Sequence, residues 1–99
     1  MTLRRLRYRA SAQRDFTNMA ARSEREWGKT RTRRYLDEVE RKVQTILENP
    51  MLGQDAGLSP MALRRVTAGR DVIFYTFDED EVEIVRILHD RMDFEAWLK

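Results

Sequence analysis

One histidine and several arginines in the C-terminal half are the residues whose chemistry could act on a substrate. His89 is the single histidine of the chain, and an imidazole exchanges protons near neutral pH. Arg65, Arg70 and Arg86 fall in neighbouring predicted strands and turns, and guanidinium groups can hold a phosphate and offset developing charge. Together they would suit a ribonuclease site in which His89 moves the proton.

Strand alternation argues against such a site. In the run 82–89, alternation places His89 with Ile87 on one face and Arg86 on the other, so the two should not share a pocket unless the strand is bulged. In the alternative interpretation, His89 ends the sheet and hydrogen-bonds the turn toward Arg91, while Arg86 pairs with a carboxylate. We favour this interpretation, and we therefore predict no catalytic residue, with His89, Arg65, Arg70 and Arg86 as the alternative.

Other motifs of catalysis and cofactor binding are missing from the sequence. It has no Gly-rich phosphate loop, no serine motif with triad partners, no cysteine and no paired histidines. The acidic run Asp78-Glu79-Asp80-Glu81 is better explained as a solvated hairpin tip than as a cation site. We expect no cofactor and no metal ion.

A β-hairpin is the clearest predicted element. The runs 72–77 and 82–89 are rich in β-branched and aromatic residues, and they flank the acidic tip at 78–81. The first run is apolar on both faces, which is typical of an inner strand covered by helices on one face and mostly covered on the other.

The N-terminal half predicts a strand followed by two helices. Leu3 to Arg9 alternates like a strand, and Ser11 could cap a helix that runs to about Trp27, with Gly28 as its stop. Thr30 could cap a second helix to Asn49, which carries an apolar stripe. A connection of about three residues would make these helices an antiparallel hairpin.

The remaining segments complete an α+β domain. Residues 51–62 predict an irregular connection, 63–67 a strand, and the end of the chain a short helix. The order β-α-α-β-β-β predicts a helical hairpin packed on one face of a mainly antiparallel four-stranded sheet. The length of 99 residues suits a single domain covering 1–99.

Charge is unevenly distributed along the chain. Residues 1–50 carry 13 basic and 7 acidic side chains, whereas residues 51–99 carry 6 and 10. Sixteen of the 19 cations are arginine, which favours bidentate contacts with carboxylates or phosphates, although a coding bias toward arginine would give the same count. No long apolar run or signal peptide is present, so we expect a soluble, cytoplasmic protein with no membrane contact.

Segments spread over nearly the whole chain resemble the ParE toxins of the RelE/ParE superfamily. They are Ser11-Ala12-Gln13-Arg14-Asp15, Glu26-Trp27-Gly28, Tyr35-Leu36-Asp37-Glu38, Glu48-Asn49-Pro50-Met51-Leu52-Gly53, Leu63-Arg64-Arg65-Val66, Gly69-Arg70-Asp71-Val72-Ile73-Phe74-Tyr75 and Ile84-Val85-Arg86-Ile87-Leu88-His89-Asp90-Arg91-Met92-Asp93. The last segment is the most specific of them.

The resemblance implies the toxin of a type II toxin–antitoxin system of the plasmid-stabilisation kind. It implies a non-enzymatic inhibitor of DNA gyrase, neutralised by a ParD-like antitoxin whose N-terminal ribbon-helix-helix part binds DNA, so that DNA is contacted only indirectly. A ribosome-dependent mRNA endoribonuclease of the same fold and a non-toxic co-repressor are the alternatives.

The resemblance also suggests two interaction surfaces. The C-terminal segment of ParE-like toxins is implicated in target inhibition, so Arg91, Met92, Phe94 and Trp97 are the predicted target-binding residues. Arginines of the first strand are the predicted antitoxin-binding residues: Arg4, Arg5, Arg7 and Arg9. A phosphate-binding stripe or a solvated edge that discourages aggregation would explain the same arginines.

Overall fold

A computed structural model describes residues 3–57 and 62–98. Its order is β1 (Arg5–Tyr8), α1 (Ala10–Glu48), a 3₁₀ turn (Pro50–Leu52), β2 (Gln54–Asp55), β3 (Arg64–Ala68), β4 (Asp71–Phe77), β5 (Glu81–His89) and α2 (Phe94–Trp97). Helix and sheet form two layers, which confirms the predicted α+β class. None of the helices in the described ranges is both long and apolar enough to cross a bilayer.

The sheet has five strands in the order β1-β5-β4-β3-β2. The predicted hairpin lies at its centre as β4 and β5, and β4 is an inner strand as expected. β1 runs parallel to β5, and the other neighbours are antiparallel. The predicted count of four strands is wrong, because the two-residue strand β2 pairs with β3 in the segment expected to be irregular. Residues 58–61 of that segment lie outside the described residues.

The helical layer has two helical arms that meet at one residue, Gly28, instead of the predicted connection of about three residues. Only Gly28, with φ 79° and ψ 174°, leaves helical geometry inside α1. A straight helix of 39 residues would be about 58 Å long, yet the longest dimension of the molecule is 39 Å. The element therefore folds back at Gly28 into an N-terminal arm (10–27) and a C-terminal arm (29–48).

The two predicted N-caps are wrong, whereas Gly28 ends the first arm as predicted. α1 begins at Ala10 with Arg9 as its N-cap, and no side chain caps it. The Ser11 hydroxyl instead donates a hydrogen bond to the Val85 carbonyl, 3.1 Å away. The second arm begins at Lys29, so Thr30 lies inside it and is not its N-cap.

Two apolar clusters cover the two faces of the sheet. The larger lies under α1 and joins Met19, Val39 and Val43 to Ile73, Ile84 and Ile87. The smaller lies on the other face around Phe74, Val85 and Leu88, and the C-terminal residues Met92, Phe94 and Leu98 pack against it. The end of the chain therefore supplies the cover that the second face of the sheet needs.

Candidate functional site

Arg86 and His89 line one cavity, and a bulge in β5 lies just before Arg86. Phe74 pairs with Arg86, but the next residue of β4, Tyr75, pairs with Ile84, so Val85 is the extra residue of β5. From Arg86 to His89 the pairing with β4 is regular, so the bulge does not change the alternation between these two residues. The expectation that they share no pocket is nevertheless wrong, because both line one cavity. The cavity holds about 360 Å³ and is lined by Ser11, Arg14, Asp15, Asn18, Arg22, Arg86, Ile87, His89, Met92 and Trp97.

Each nitrogen of the Arg86 guanidinium donates one hydrogen bond within the protein. Its Nε and Nη2 donate to the two carboxylate oxygens of Asp15 at 2.7 and 2.8 Å, and its Nη1 donates to the Trp97 carbonyl at 2.8 Å. The hydrogen bond to Asp15 raises the pKa of Arg86. Three of its five N–H donors are engaged in this way, so the arrangement is that of a structural ion pair.

Asp15 also fastens α1 to the sheet. Its Oδ2 accepts a hydrogen bond from the Ile87 backbone amide at 2.9 Å. β1 pairs with β5 only as far as Ile84, so the N-terminal arm takes over the edge of β5 beyond that residue. One carboxylate therefore joins α1, β5 and, through Arg86, the C-terminal segment.

His89 contacts the turn that follows β5. Its Nδ1 lies 3.2 Å from the Arg91 backbone amide and 3.1 Å from Asp90 Oδ1. Nδ1 accepts from the amide when this nitrogen carries no proton, and it donates to the carboxylate when it carries one. The contact toward Arg91 is the one expected for a histidine that ends the sheet.

The other two residues of the ribonuclease alternative lie elsewhere. Arg65 is exposed on β3, and Arg70 is exposed in the turn between β3 and β4; neither lines the cavity of His89. In the described part of the chain, no group of three or more histidine, cysteine or acidic side chains could hold a metal ion.

The predicted target-binding residues divide into two roles. Phe94 packs edge-to-face on Phe74, with ring centroids 5.0 Å apart, and Met92 joins the same cluster. Trp97 is 49% exposed and Arg91 is exposed. Phe94 and Met92 therefore pack against the core, and the accessible part of the segment is Arg91 with Trp97.

Three of the four predicted antitoxin-binding arginines make side-chain contacts within the protein, while Arg5 is exposed. Arg7 and Arg9 both donate to the Glu83 carboxylate, at 2.5 and 2.9 Å, while Arg4 donates to the Asp78 carbonyl and stacks on Phe77. Burial raises the pKa of Glu83, but its bonds to Arg9 and Arg7 outweigh that and lower it. These arginines fasten β1 to the hairpin.

A groove between α1 and β1 was not identified from the sequence. It holds about 720 Å³ and is lined by Leu6, Tyr8, Gln13, Phe16, Asp37, Glu40, Arg41, Val43 and Gln44. Both arms of α1 and the edge strand contribute to it, and burial raises the pKa of Tyr8 in it. The signal available in the sequence was the pair Leu6 and Tyr8 on one face of an edge strand.

Comparison with known proteins gives one consistent family. The family model "ParE toxin of type II toxin-antitoxin system, parDE" matches residues 6–94. Toxin ParE1 of Caulobacter vibrioides is 34% identical over 94 residues, which is 95% of both chains. Toxin ParE1 of Mycobacterium tuberculosis is 31% identical over 68 residues, covering 68% of this chain and 69% of that protein.

Solved structures with low sequence identity share the fold. The chromosomal ParDE system from P. aeruginosa superimposes with a TM-score of 0.75 at 13% identity, over 88% of this chain and 96% of that one. The E. coli DinJ–YafQ toxin–antitoxin complex gives a TM-score of 0.56 at 12% identity, over 89% and 93%.

Proposed function

The chain belongs to the ParE toxin family of type II toxin–antitoxin systems, and from this premise we propose that it inhibits DNA gyrase by binding. One observation carries the proposal. Beyond β5 the chain presents Trp97, 49% exposed, and an exposed Arg91, on a segment that Phe94 anchors to the sheet. Tryptophan and arginine on a rigid support are the residues that most often dominate protein interfaces.

The ion pair of Arg86 supports inhibition by binding over RNA cleavage. A ribonuclease needs free cationic groups at the scissile phosphate, and the charge of Arg86 is paired with Asp15, with a further bond to the Trp97 carbonyl. The shared cavity of Arg86 and His89 is the one observation that favours the ribonuclease alternative, and a non-toxic co-repressor is the third candidate.

A supercoiling assay with purified gyrase tests the proposal. The chain should inhibit the enzyme, and Trp97→Ala should raise the half-inhibitory concentration by about 30-fold, the effect of losing a hot spot of about 2 kcal/mol. Glu95→Gln, an exposed change in the same short helix, is the matched control. Ribosome-dependent mRNA cleavage lost in His89→Ala would establish the ribonuclease instead, and absence of both activities would favour the co-repressor.

We also propose that a ParD-like antitoxin with a DNA-binding ribbon-helix-helix part neutralises this chain. The groove between α1 and β1 supports a docking site for its C-terminal part, because apolar side chains such as Phe16 and Val43 lie among the polar residues Gln13, Glu40 and Gln44. An amphipathic helix suits such a groove. The arginines of β1, held by Glu83 and Asp78, would border this site rather than form its centre.

Titration of the cognate antitoxin against groove variants tests this docking site. Gln44→Trp fills the groove from an exposed position without disturbing the core, and it should weaken the complex at least tenfold. Thr45→Trp, exposed at the adjacent position and absent from the groove lining, is the control. If both variants and the unaltered chain bound the antitoxin with equal affinity, the antitoxin would have to dock on another surface.

A further inference from the structure

The bend of α1 carries a concentration of cations without carboxylate partners. Five exposed cations fall within residues 25–34: Arg25, Lys29, Arg31, Arg33 and Arg34. Arg70, exposed in the turn between β3 and β4, lines the same cavity as Arg31 and Arg34. Within residues 3–57 and 62–98, no carboxylate lies within 4.0 Å of any of these six. We call this set the cationic bend.

Several arginines elsewhere in the fold are neutralised by carboxylates. Arg7 and Arg9 pair with Glu83, Arg22 pairs with Asp71, and Arg86 pairs with Asp15. Exposed arginines such as Arg14, Arg41 and Arg65 also lack such a partner, but they are spread over the surface. The bend groups six such cations, with Glu38 as the acidic residue of its cavity lining, and such a cluster produces a local positive potential.

The cationic bend has the geometry of a phosphate-binding surface. The cavity holds about 780 Å³ and is lined by Trp27, Thr30, Arg31, Arg34, Tyr35, Glu38, Gly69 and Arg70. Arg31 and Arg34 are three residues apart on one helix, so their side chains emerge as neighbours. Arg70 reaches the same space from the sheet layer, so guanidinium groups from two elements converge there.

We propose that the cationic bend binds the phosphate backbone of duplex DNA. Arginine forks match phosphate oxygens bidentately, and backbone binding requires no apolar anchor. An acidic peptide normally requires one, and the surface offers little: the ring of Trp27 lies under the Arg31 guanidinium, 4.7 Å from its centroid. The contact is independent of base sequence, because nothing in this surface is shaped to enter a groove.

This surface adds a direct DNA contact to the indirect one expected through the antitoxin. It lies at the same end of the molecule as the C-terminal segment, because the Asp90 amide donates to the Arg70 carbonyl at 2.9 Å. The acidic residues of the second half oppose the contact, so the binding is weak at physiological salt and strengthens as salt is lowered. The proposal does not depend on gyrase being the target.

The salt dependence of binding measures the proposed contact directly. The full chain, made by cell-free synthesis, is titrated against a fluorescein-labelled 20-base-pair duplex between 50 and 200 mM salt. Each phosphate neutralised contributes about 0.9 to the slope of log K against log salt. The triple variant Arg31→Gln, Arg34→Gln, Arg70→Gln should therefore lose about 2.7 of that slope, so its gain in affinity on lowering the salt is about 40-fold smaller.

A triple variant with the same change in net charge separates a local site from general attraction. Arg14→Gln, Arg41→Gln, Arg65→Gln alters exposed arginines outside the bend and should change the slope by less than about one unit. Equal slopes for both triple variants, or displacement of the duplex by a glutamate peptide of equal charge at equal concentration, would overturn the proposal. Gyrase inhibition is scored separately, so a chain that inhibits gyrase without this salt signature refutes the DNA surface alone.

Discussion

At the scale of single residues, Gly28 determines the shape of the helical layer. Its φ of 79° and ψ of 174° belong to a region that is essentially restricted to glycine. The sequence indicated a helix end at this position, since glycine commonly follows the last helical turn. It could not show that the helix resumes at the next residue, because that depends on where both arms pack on the sheet.

Gly28→Ala tests whether backbone conformation at one residue holds the bend. No atom lies within 4 Å of an added Cβ, so the cost is conformational and should lower the free energy of unfolding by about 1–3 kcal/mol. Urea denaturation followed by circular dichroism measures it. D-alanine at the same position, which prefers positive φ, is the control and should be at least as stable as glycine. An L-alanine variant as stable as the original chain would contradict the assignment.

At the scale of elements, regular patterns were predictable and departures from them were not. β3, β4 and β5 follow from runs of β-branched and aromatic residues, and the C-terminal arm of α1 follows from its apolar stripe. The bulge at Val85 was not predictable, because its position depends on pairing with β4. β2 was missed because two residues are too few to show alternation. The segment before β2 is held by the hydroxyl of Tyr75, which donates to the Pro50 carbonyl and accepts from the Gly53 amide.

The Asp15–Arg86 pair is the contact through which the bulged strand holds α1 and the C-terminal segment together. The two side chains are 10% and 17% exposed, so Arg86→Met leaves a nearly buried carboxylate without its cation. We expect a loss of about 2–4 kcal/mol in unfolding free energy, somewhat below the cost of breaking a fully buried pair.

A double-mutant cycle with Asp15→Asn gives the control for this pair. The double variant should be more stable than the sum of the two single losses predicts, because it buries no unpaired charge. Chemical denaturation of the four chains provides the coupling energy. Single losses below about 0.5 kcal/mol, the range of ordinary surface substitutions, would show that solvent already screens the pair.

At the scale of the whole molecule, the fold class was predictable and the covering of the second sheet face was not. An α+β domain follows from the order of elements, since a helical layer and a sheet must bury their apolar faces against each other. The packing of Phe94 on Phe74 depends on where the chain turns after β5, and this turn cannot be predicted from the periodicity of the sequence. The groove and the cationic bend have the same origin: residues distant in sequence meet only in the folded chain.

The three tyrosines of the chain make alkaline pH a probe of the entire fold. Burial raises the pKa of Tyr8, Tyr35 and Tyr75 alike, and the hydrogen bond of Tyr35 to Asp71 raises its pKa further. In the unfolded chain each phenol titrates near pH 10. The protonated form is therefore favoured by folding, and this contribution is fully present below about pH 10 and is lost as pH rises through the folded pKa values.

Absorbance of tyrosinate at 295 nm should reveal this linkage. The native chain should show little ionisation near pH 10, then a steep rise in which ionisation and loss of the circular dichroism signal coincide, because each tyrosine that ionises on unfolding lowers stability by up to about 1.4 kcal/mol per pH unit. In 6 M guanidinium the same chain should titrate all three phenols near pH 10. If one tyrosine of the native chain titrated normally while circular dichroism stayed unchanged, that phenol would be solvated. Tyr→Phe variants would then identify it as the tyrosine in the groove, at the bend or at the 3₁₀ turn.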